Sequence, residues 1–155
     1  MADFLTRAPR ADDIASIGRI VEDAGLFPGE MIPGMLAPFL QGDAAALWVV
    51  IEDAGGQVAG VKYSVPEEMT DGTWNMLAIG VSPDQQGHGF GRALVAATEQ
   101  ALRQKAQRLL IVDTSGTDAF EGARAFYARL GYEEVACIRD FWADGDDKIT
   151  FRKAL

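Results

Sequence analysis

Gln86-Gly87-His88-Gly89-Phe90-Gly91 lies between an apolar run, Trp74 to Val81, and an amphipathic run that begins at Arg92. Alternating glycines let the backbone turn tightly and present its N–H groups with no intervening Cβ. The residues that follow, Arg92-Ala93-Leu94-Val95-Ala96-Ala97, are good helix formers. Leu94, Val95, Thr98, Ala101 and Leu102 share one apolar face. A glycine turn opening a helix leaves amide donors unpaired at the positive end of the helix dipole. The stretch is therefore read as an anion site, most simply one for phosphate.

Spacing narrows the ligand. A nucleotide-triphosphate loop requires a lysine after its last glycine, and none follows here. A dinucleotide fingerprint runs Gly-x-Gly-x-x-Gly beside the first strand, whereas this chain has Gly-x-Gly-x-Gly more than halfway along. Gln86-x-x-Gly89-x-Gly91, preceded by Val81-Ser82-Pro83-Asp84-Gln85, instead resembles the acyl-CoA signature of the GNAT superfamily of N-acetyltransferases. The resemblance implies that Gln86, Gly87, His88, Gly89, Phe90 and Gly91 hold the coenzyme A pyrophosphate through their amides. Arg92 adds positive charge beside them. His88 serves through its backbone rather than its imidazole.

Outward from the loop, Phe4 to Ala8 reads as a first strand. Ile14, Ile17, Ile20, Val21 and Ala24 form a helical stripe closed by Gly25. Pro28, Pro33 and Pro38 argue for a short, broken helix and a mobile connection between Leu26 and Leu40. Strands follow from Leu47 to Glu52, Gln57 to Val65 and Trp74 to Val81, the first two joined at Asp53-Ala54-Gly55-Gly56. After the loop helix come a strand from Arg108 to Thr114 and a helix from Ala119 to Leu130. An Asp118–Glu121 capping box opens that helix and Gly131 closes it. Strands from Glu133 to Phe141 and Lys148 to Lys153 complete the set. The expected architecture is one α/β domain over residues 1–155, a mixed, mostly antiparallel sheet of roughly seven strands flanked by about four helices. This element order resembles the GNAT fold from end to end.

A second motif lies in the later helix. Ala119, Ala123, Phe126 and Leu130 recur at helical spacing and are expected to face the core. Tyr127 is one residue off that stripe, either an amphipathic rim residue or a ring on a flank whose hydroxyl reaches a cleft. Phe126-Tyr127-x-x-x-Gly131-Tyr132 resembles the GNAT segment whose tyrosine protonates the departing CoA thiolate. The resemblance gives Tyr127 that role of general acid. Phe120 departs from the pattern, because many members carry asparagine seven residues before the tyrosine. Ser115 or Thr114 could supply the missing hydrogen bond, or could be ordinary loop residues.

Acyl transfer from a thioester to an amine needs positioning, a neutral amine, a stabilised oxyanion and a proton for the sulfur. By resemblance, the backbone of Ile79, Gly80 and Val81 pairs with the pantetheine arm like an added strand. Gly80 fits a close backbone approach or a bulge. The run from Trp74 to Val81 contains no Asp or Glu, so a general base must come from elsewhere. Asp113, near the carboxyl end of its strand, is the preferred candidate. Glu30 is a second, and water a full competitor; either carboxylate could be a solvated or capping group.

Composition excludes several alternatives. The chain of 155 residues is 48% hydrophobic and 24% charged, an ordinary balance for one globular domain. Its 14 basic and 23 acidic residues give a net charge of −9, which disfavours nucleic acid and requires local positive charge at any CoA site. The same charge suits a cationic amine. With one cysteine and one histidine, no internal disulfide or zinc site is expected. Asp144-Gly145-Asp146-Asp147 lacks the ligand spacing of a calcium loop and reads as a hairpin turn, so no metal is expected. No apolar run is long enough to span a bilayer and no signal peptide is evident, so a cytoplasmic location without a membrane partner is expected. The leading reading is an acetyl-CoA-dependent N-acetyltransferase acting on a primary amine of a small molecule or peptide. One competitor is an acyl-CoA-binding regulatory module without turnover. Another is a binding domain that uses the Phe27–Phe39 surface. Phe27, Met31, Met35 and Phe39 are expected to line or cover the acceptor cleft, or equally to pack the core or a homodimer interface.

Overall fold

Apolar residues on alternate positions of β2 (Leu47–Glu52) send side chains to two separate cores, and that division organises the molecule. Trp48 and Val50 join a cluster with Ile17, Ile20, Val21, Ile32 and Leu36, from α1 (Ile14–Asp23) and α2 (Ile32–Leu40). Val49 and Ile51 turn the other way, onto Phe90 and Leu94 of α3 (Phe90–Gln104). Helices thus cover both faces, as the apolar pattern requires. A computed structural model describes residues 4–43 and 45–155. The remaining elements are β1 (Leu5–Arg7), β3 (Val58–Pro66), β4 (Thr73–Val81), β5 (Leu109–Ser115), α4 (Glu121–Arg129), β6 (Glu133–Ala143) and β7 (Asp146–Ala154). Among the described residues no helix is long and apolar enough to cross a membrane.

The seven strands lie in the order β1-β2-β3-β4-β5-β7-β6. Every neighbouring pair is antiparallel except β4 and β5. Those two strands pair only at Thr73↔Leu109, Trp74↔Leu110 and Asn75↔Ile111. Beyond that point β4 runs on to Val81 and β5 to Ser115 without pairing each other. A bulge lies just past the parting: β3 residues Tyr63 and Ser64 face Ala78 and Met76, leaving Leu77 as the extra residue. A bulge bends its strand and sharpens the local twist.

Several expectations are corrected here. Gly80 does not mark the bulge. A Cβ there would lie 3.1 Å from Ile20 Cγ2, so the small residue admits α1 to the sheet. α2 is short as expected but continues through Pro38 rather than breaking. The donor that proline removes would have served the carbonyl of Gly34, which lies on an exposed part of the helix. Phe27, Met35 and Phe39 pack against the α1 cluster, while Met31 stays half-exposed.

The opening of α4 also differs. Asp118 begins a 3-10 turn, and no side chain caps the helix. Arg124 instead donates to the carbonyls of Ser115 and Thr117 at 2.7 and 2.8 Å, tying the helix to the end of β5. The expected inward stripe is rotated as well. Tyr127 is the buried residue of α4, Ala123 and Phe126 are half-buried, and Ala119 is exposed.

Candidate active site

β4 ends at Val81, a 3-10 turn follows over Pro83–Gln85, and the glycine loop leads into α3. Gly87 and Gly89 have φ of +79° and +88°, values that side chains with a Cβ rarely tolerate. The Gln86 side chain donates to the Val81 carbonyl at 3.3 Å and closes the turn. The first backbone bond of α3 runs from the Ala93 amide to the Gly89 carbonyl at 3.0 Å. Phe90, Gly91 and Arg92 therefore begin the helix with amides that have no helical acceptor.

These residues border a cavity of about 460 Å³, closed on the far side by Phe126, Arg129 and Leu130 of the α4 segment. That volume suits a small-molecule or cofactor site. Gly91 is needed for close approach, since a Cβ there would sit 3.3 Å from the Phe126 ring. His88 is exposed and does not line the cavity, whereas Gln86, Gly87, Gly89, Phe90, Gly91 and Arg92 do. Val81 lines it too, and half-buried Ile79 packs beneath against α3.

Arg92 and Arg129 also border a second cavity of about 230 Å³ with Glu99 and Lys153. Lys153 is committed: it donates to both Glu99 oxygens, at 2.9 and 3.2 Å, and to the Leu130 carbonyl at 2.8 Å. Arg92 and Arg129 form no ion pair among the described residues. Two uncommitted guanidiniums thus flank the helix start in a chain of net charge −9. Such groups suit phosphate. The sequence reading missed Arg129, although its spacing held the signal. Phe126, Arg129 and Leu130 stand at i, i+3 and i+4 on one helical face.

Tyr127 lies in the core beside this cavity. It is 6% exposed and packs near Phe126, Tyr132 and Phe151, with ring centroids 5.2, 6.0 and 6.0 Å away. Burial pushes its hydroxyl up to about 12, so it remains protonated near neutrality. Tyr132, by contrast, donates its hydroxyl to Glu99 at 2.9 Å. Where the β4–β5 pairing stops, the Asn75 amide donates to Glu67 at 2.8 Å. Its Oδ1 is buried with no partner among the described residues.

Asp113 is placed apart from the glycine loop. Its neighbour Val112 packs in the core with Tyr127, so strand alternation turns Asp113 to the opposite face. The carboxylate accepts the Thr150 hydroxyl and lies 3.9 Å from Lys148 Nζ. It borders a separate cavity of about 230 Å³ with Ser115, Phe120, Trp142 and Asp146. Ser115 is occupied by Asp146 and Thr117, and the Thr114 carbonyl accepts Trp142 Nε1 at 3.3 Å. Glu30 is exposed on the 3-10 turn Gly29–Met31. No group of three His, Cys, Asp or Glu among the described residues could hold a metal ion.

Residues 43–134 match the family described as the acetyltransferase (GNAT) domain. Over 95 residues the chain is 33% identical to mycothiol acetyltransferase of Beutenbergia cavernae, covering 61% of this chain and 30% of that one. The chain thus spans less than a third of the length of the curated relatives it matches. A GNAT-family protein from Desulfovibrio desulfuricans superposes with a TM-score of 0.88 at 30% identity, covering 98% of this chain and 99% of that one. The fold is also shared with yncA of Salmonella typhimurium, solved with its cofactor acetyl-CoA, at a TM-score of 0.78 and 19% identity over 98% of this chain and 94% of that one. By the matched segment and the near-complete superposition at 30% identity, the chain belongs to the GNAT family of acetyltransferases.

Proposed function

We propose that residues 1–155 form a single domain that transfers an acetyl group from acetyl-CoA to a primary amine of a small molecule or peptide. The observation that carries this reading is the unpaired edge of β4 at Ile79, Gly80 and Val81, which leads directly into the glycine-lined cavity. A strand edge offers amide and carbonyl partners to the pantetheine arm. The helix start and the two free guanidiniums offer the pyrophosphate its donors. Gln86, Gly87, Gly89, Phe90, Gly91 and Arg92 border that pyrophosphate place. His88 follows the backbone of the turn.

In this reading the amine nitrogen attacks the thioester carbonyl, a C–N bond forms and the C–S bond breaks. Tyr127 gives its hydroxyl proton to the departing sulfur, which its protonated state supports. The proton lost by the amine goes to Asp113 or to water. The prior commitment of Asp113 to Thr150 and Lys148 supports the water route and keeps open a second reading, an acyl-CoA-binding module without turnover. The lone, exposed Cys137 supports a reducing, cytoplasmic setting, and the charge of −9 argues against a nucleic-acid partner.

Calorimetric titration with acetyl-CoA, followed by a thiol-release assay over amines, amino acids and peptide N-termini, tests the reading. Binding with release for at least one amine class is expected. Binding without release across the panel would favour the module, and no binding would remove both.

A further inference from the structure

We propose that β6 is a dimerisation strand: its outer edge pairs antiparallel with β6 of a second copy of this chain, centred on Cys137. Two seven-stranded sheets then become one. β6 ends the strand order and has β7 on one side only. Every residue of this strand is exposed, although Val135, Ile138, Phe141 and Trp142 lie along it, each close to half exposed. An edge strand carries a row of N–H and C=O groups with no partner, and a long apolar edge invites another strand. The second half of β6 is blunted. Asp140 has φ of +55°, donates its amide to Asp147 and accepts the Gly145 amide, and the β6–β7 register shifts between Ile138 and Ala143. Such a bulge turns an edge away from further pairing, which leaves Glu133 to Arg139 as the open stretch.

The charges on that stretch identify the occupant as the same strand of a second copy. Glu134 pairs with Phe151 and Cys137 with Ile149, and both β7 residues belong to the core around Tyr127. Paired residues share a face, so Glu134 and Cys137 lie on the α4 side, with the register shift at Val135 between them. Alternation adds Arg139 to the same face. Glu133 already lies 4.0 Å from Arg152, whereas Glu134 and Arg139 form no ion pair among the described residues. The strand thus holds one uncommitted charge of each sign, on one face, on either side of Cys137. A two-fold axis through Cys137 sets Arg139 of each copy opposite the Glu134–Val135 bulge of the other, and Ala136 opposite Ile138. One favourable charge pair is formed twice, the self-complementarity that a closed two-fold contact requires. The sheet's other edge, β1, spans three residues and commits Arg7 to Asp13 and Glu52, so it offers β6 no comparable partner.

The test is sedimentation velocity on the full chain over micromolar to millimolar concentrations, with two charge reversals. The parent is expected to reach twice the monomer mass as concentration rises. Glu134→Arg and Arg139→Glu each turn two attractive cross-strand pairs into two repulsive ones, so each should raise the dimer dissociation constant at least about tenfold. Both side chains are exposed, and circular dichroism should report an unchanged fold. Mixing the two variants is the decisive arm. In the mixed dimer the arginines of one variant face the glutamates of the other at both ends of the contact, and association should return. Lost folding would not be rescued this way. Cys137 is the chain's one cysteine, so bismaleimidoethane should join the two copies through it in the parent and in the mixture, and far less in either variant alone. A parent that stays monomeric, single variants that dimerise as the parent does, a mixture no better than its components, or a parent dimer that does not cross-link would each overturn the proposal. Acetyl-CoA binding and turnover are read separately, and their failure would leave this contact standing.

Discussion

At Gly89 two constraints meet. Its φ is +88°, and a Cβ would lie 3.3 Å from the Phe4 ring, which itself packs edge-on to Phe90 at 5.1 Å. Gly89→Val is expected to distort the turn and lower acetyl-CoA affinity by at least about tenfold, roughly 1.4 kcal/mol, while circular dichroism still reports a folded chain. Undiminished affinity in that folded variant would remove the glycine turn from the site. Tyr127→Phe retains the buried ring and deletes only the hydroxyl. Turnover should fall roughly 10²–10⁴-fold with acetyl-CoA affinity little changed, provided chemistry limits the rate. Near-normal single-turnover rates would leave Tyr127 a packing residue. Lys62 yields a third expectation. It is 1% exposed on β3, and its only side-chain hydrogen bond among the described residues reaches Ser64 at 3.5 Å. Desolvation lowers its pKa from 10.5 to about 7, against a smaller opposing pull from Glu99. Between those values the unfolded chain binds the proton that the folded chain lacks, so stability rises with pH across that window and is level below it. Lys62→Met should flatten that slope by up to about 1.4 kcal/mol per pH unit, read from denaturant midpoints between pH 7 and 10. Parallel curves for parent and variant would show that Lys62 does not titrate in that window.

At the scale of elements, α2 carries a removable defect. Pro38 lies inside the helix and is exposed. Pro38→Ala restores a donor to the Gly34 carbonyl and should raise stability by about 1–2 kcal/mol, discounting the interior-proline penalty for the gain in unfolded-chain entropy. A lowered melting temperature would show that the proline ring packs to advantage. How much could be read beforehand varies by element for physical reasons. α3 was legible because its glycines, helix formers and apolar stripe agree with one another. In α4 the apolar pattern ranks Phe126 above Tyr127 as a core residue, and the structure reverses that order. Contacts with Tyr132 and Phe151, distant in sequence or across the helix end, decide the matter the other way. The bulge at Leu77 carries no glycine or proline to announce it, and arises from the register of β3 against β4. Strand polarity alone points to Asp113; that it turns away from Tyr127 follows from Val112 joining the Tyr127 core, a long-range contact no local pattern announces. Nothing local marks the role of Glu99 on α3, because its partners Tyr132 and Lys153 lie far along the chain.

For the whole molecule, the central sheet is a four-strand piece and a three-strand piece stitched at three residue pairs. On the α3 side a shared core spans that seam, with Trp74 and Met76 packed alongside Leu110, Val112 and Phe151. Past Asn75 the strands themselves contribute no hydrogen bonds across it. A molecule lying along the edge of β4 would therefore act as a rivet as well as a reactant. Binding at a hundredfold excess over its dissociation constant should add about 2.7 kcal/mol. Amide exchange at Ile79 to Val81 should slow on adding acetyl-CoA, and tryptic cleavage should slow with it. If neither changes while calorimetry reports binding, the ligand does not bridge the seam. If both slow, the seam makes durability depend on nutrition: the polypeptide would survive longest where acetyl-CoA is plentiful and be cleared first where it is scarce.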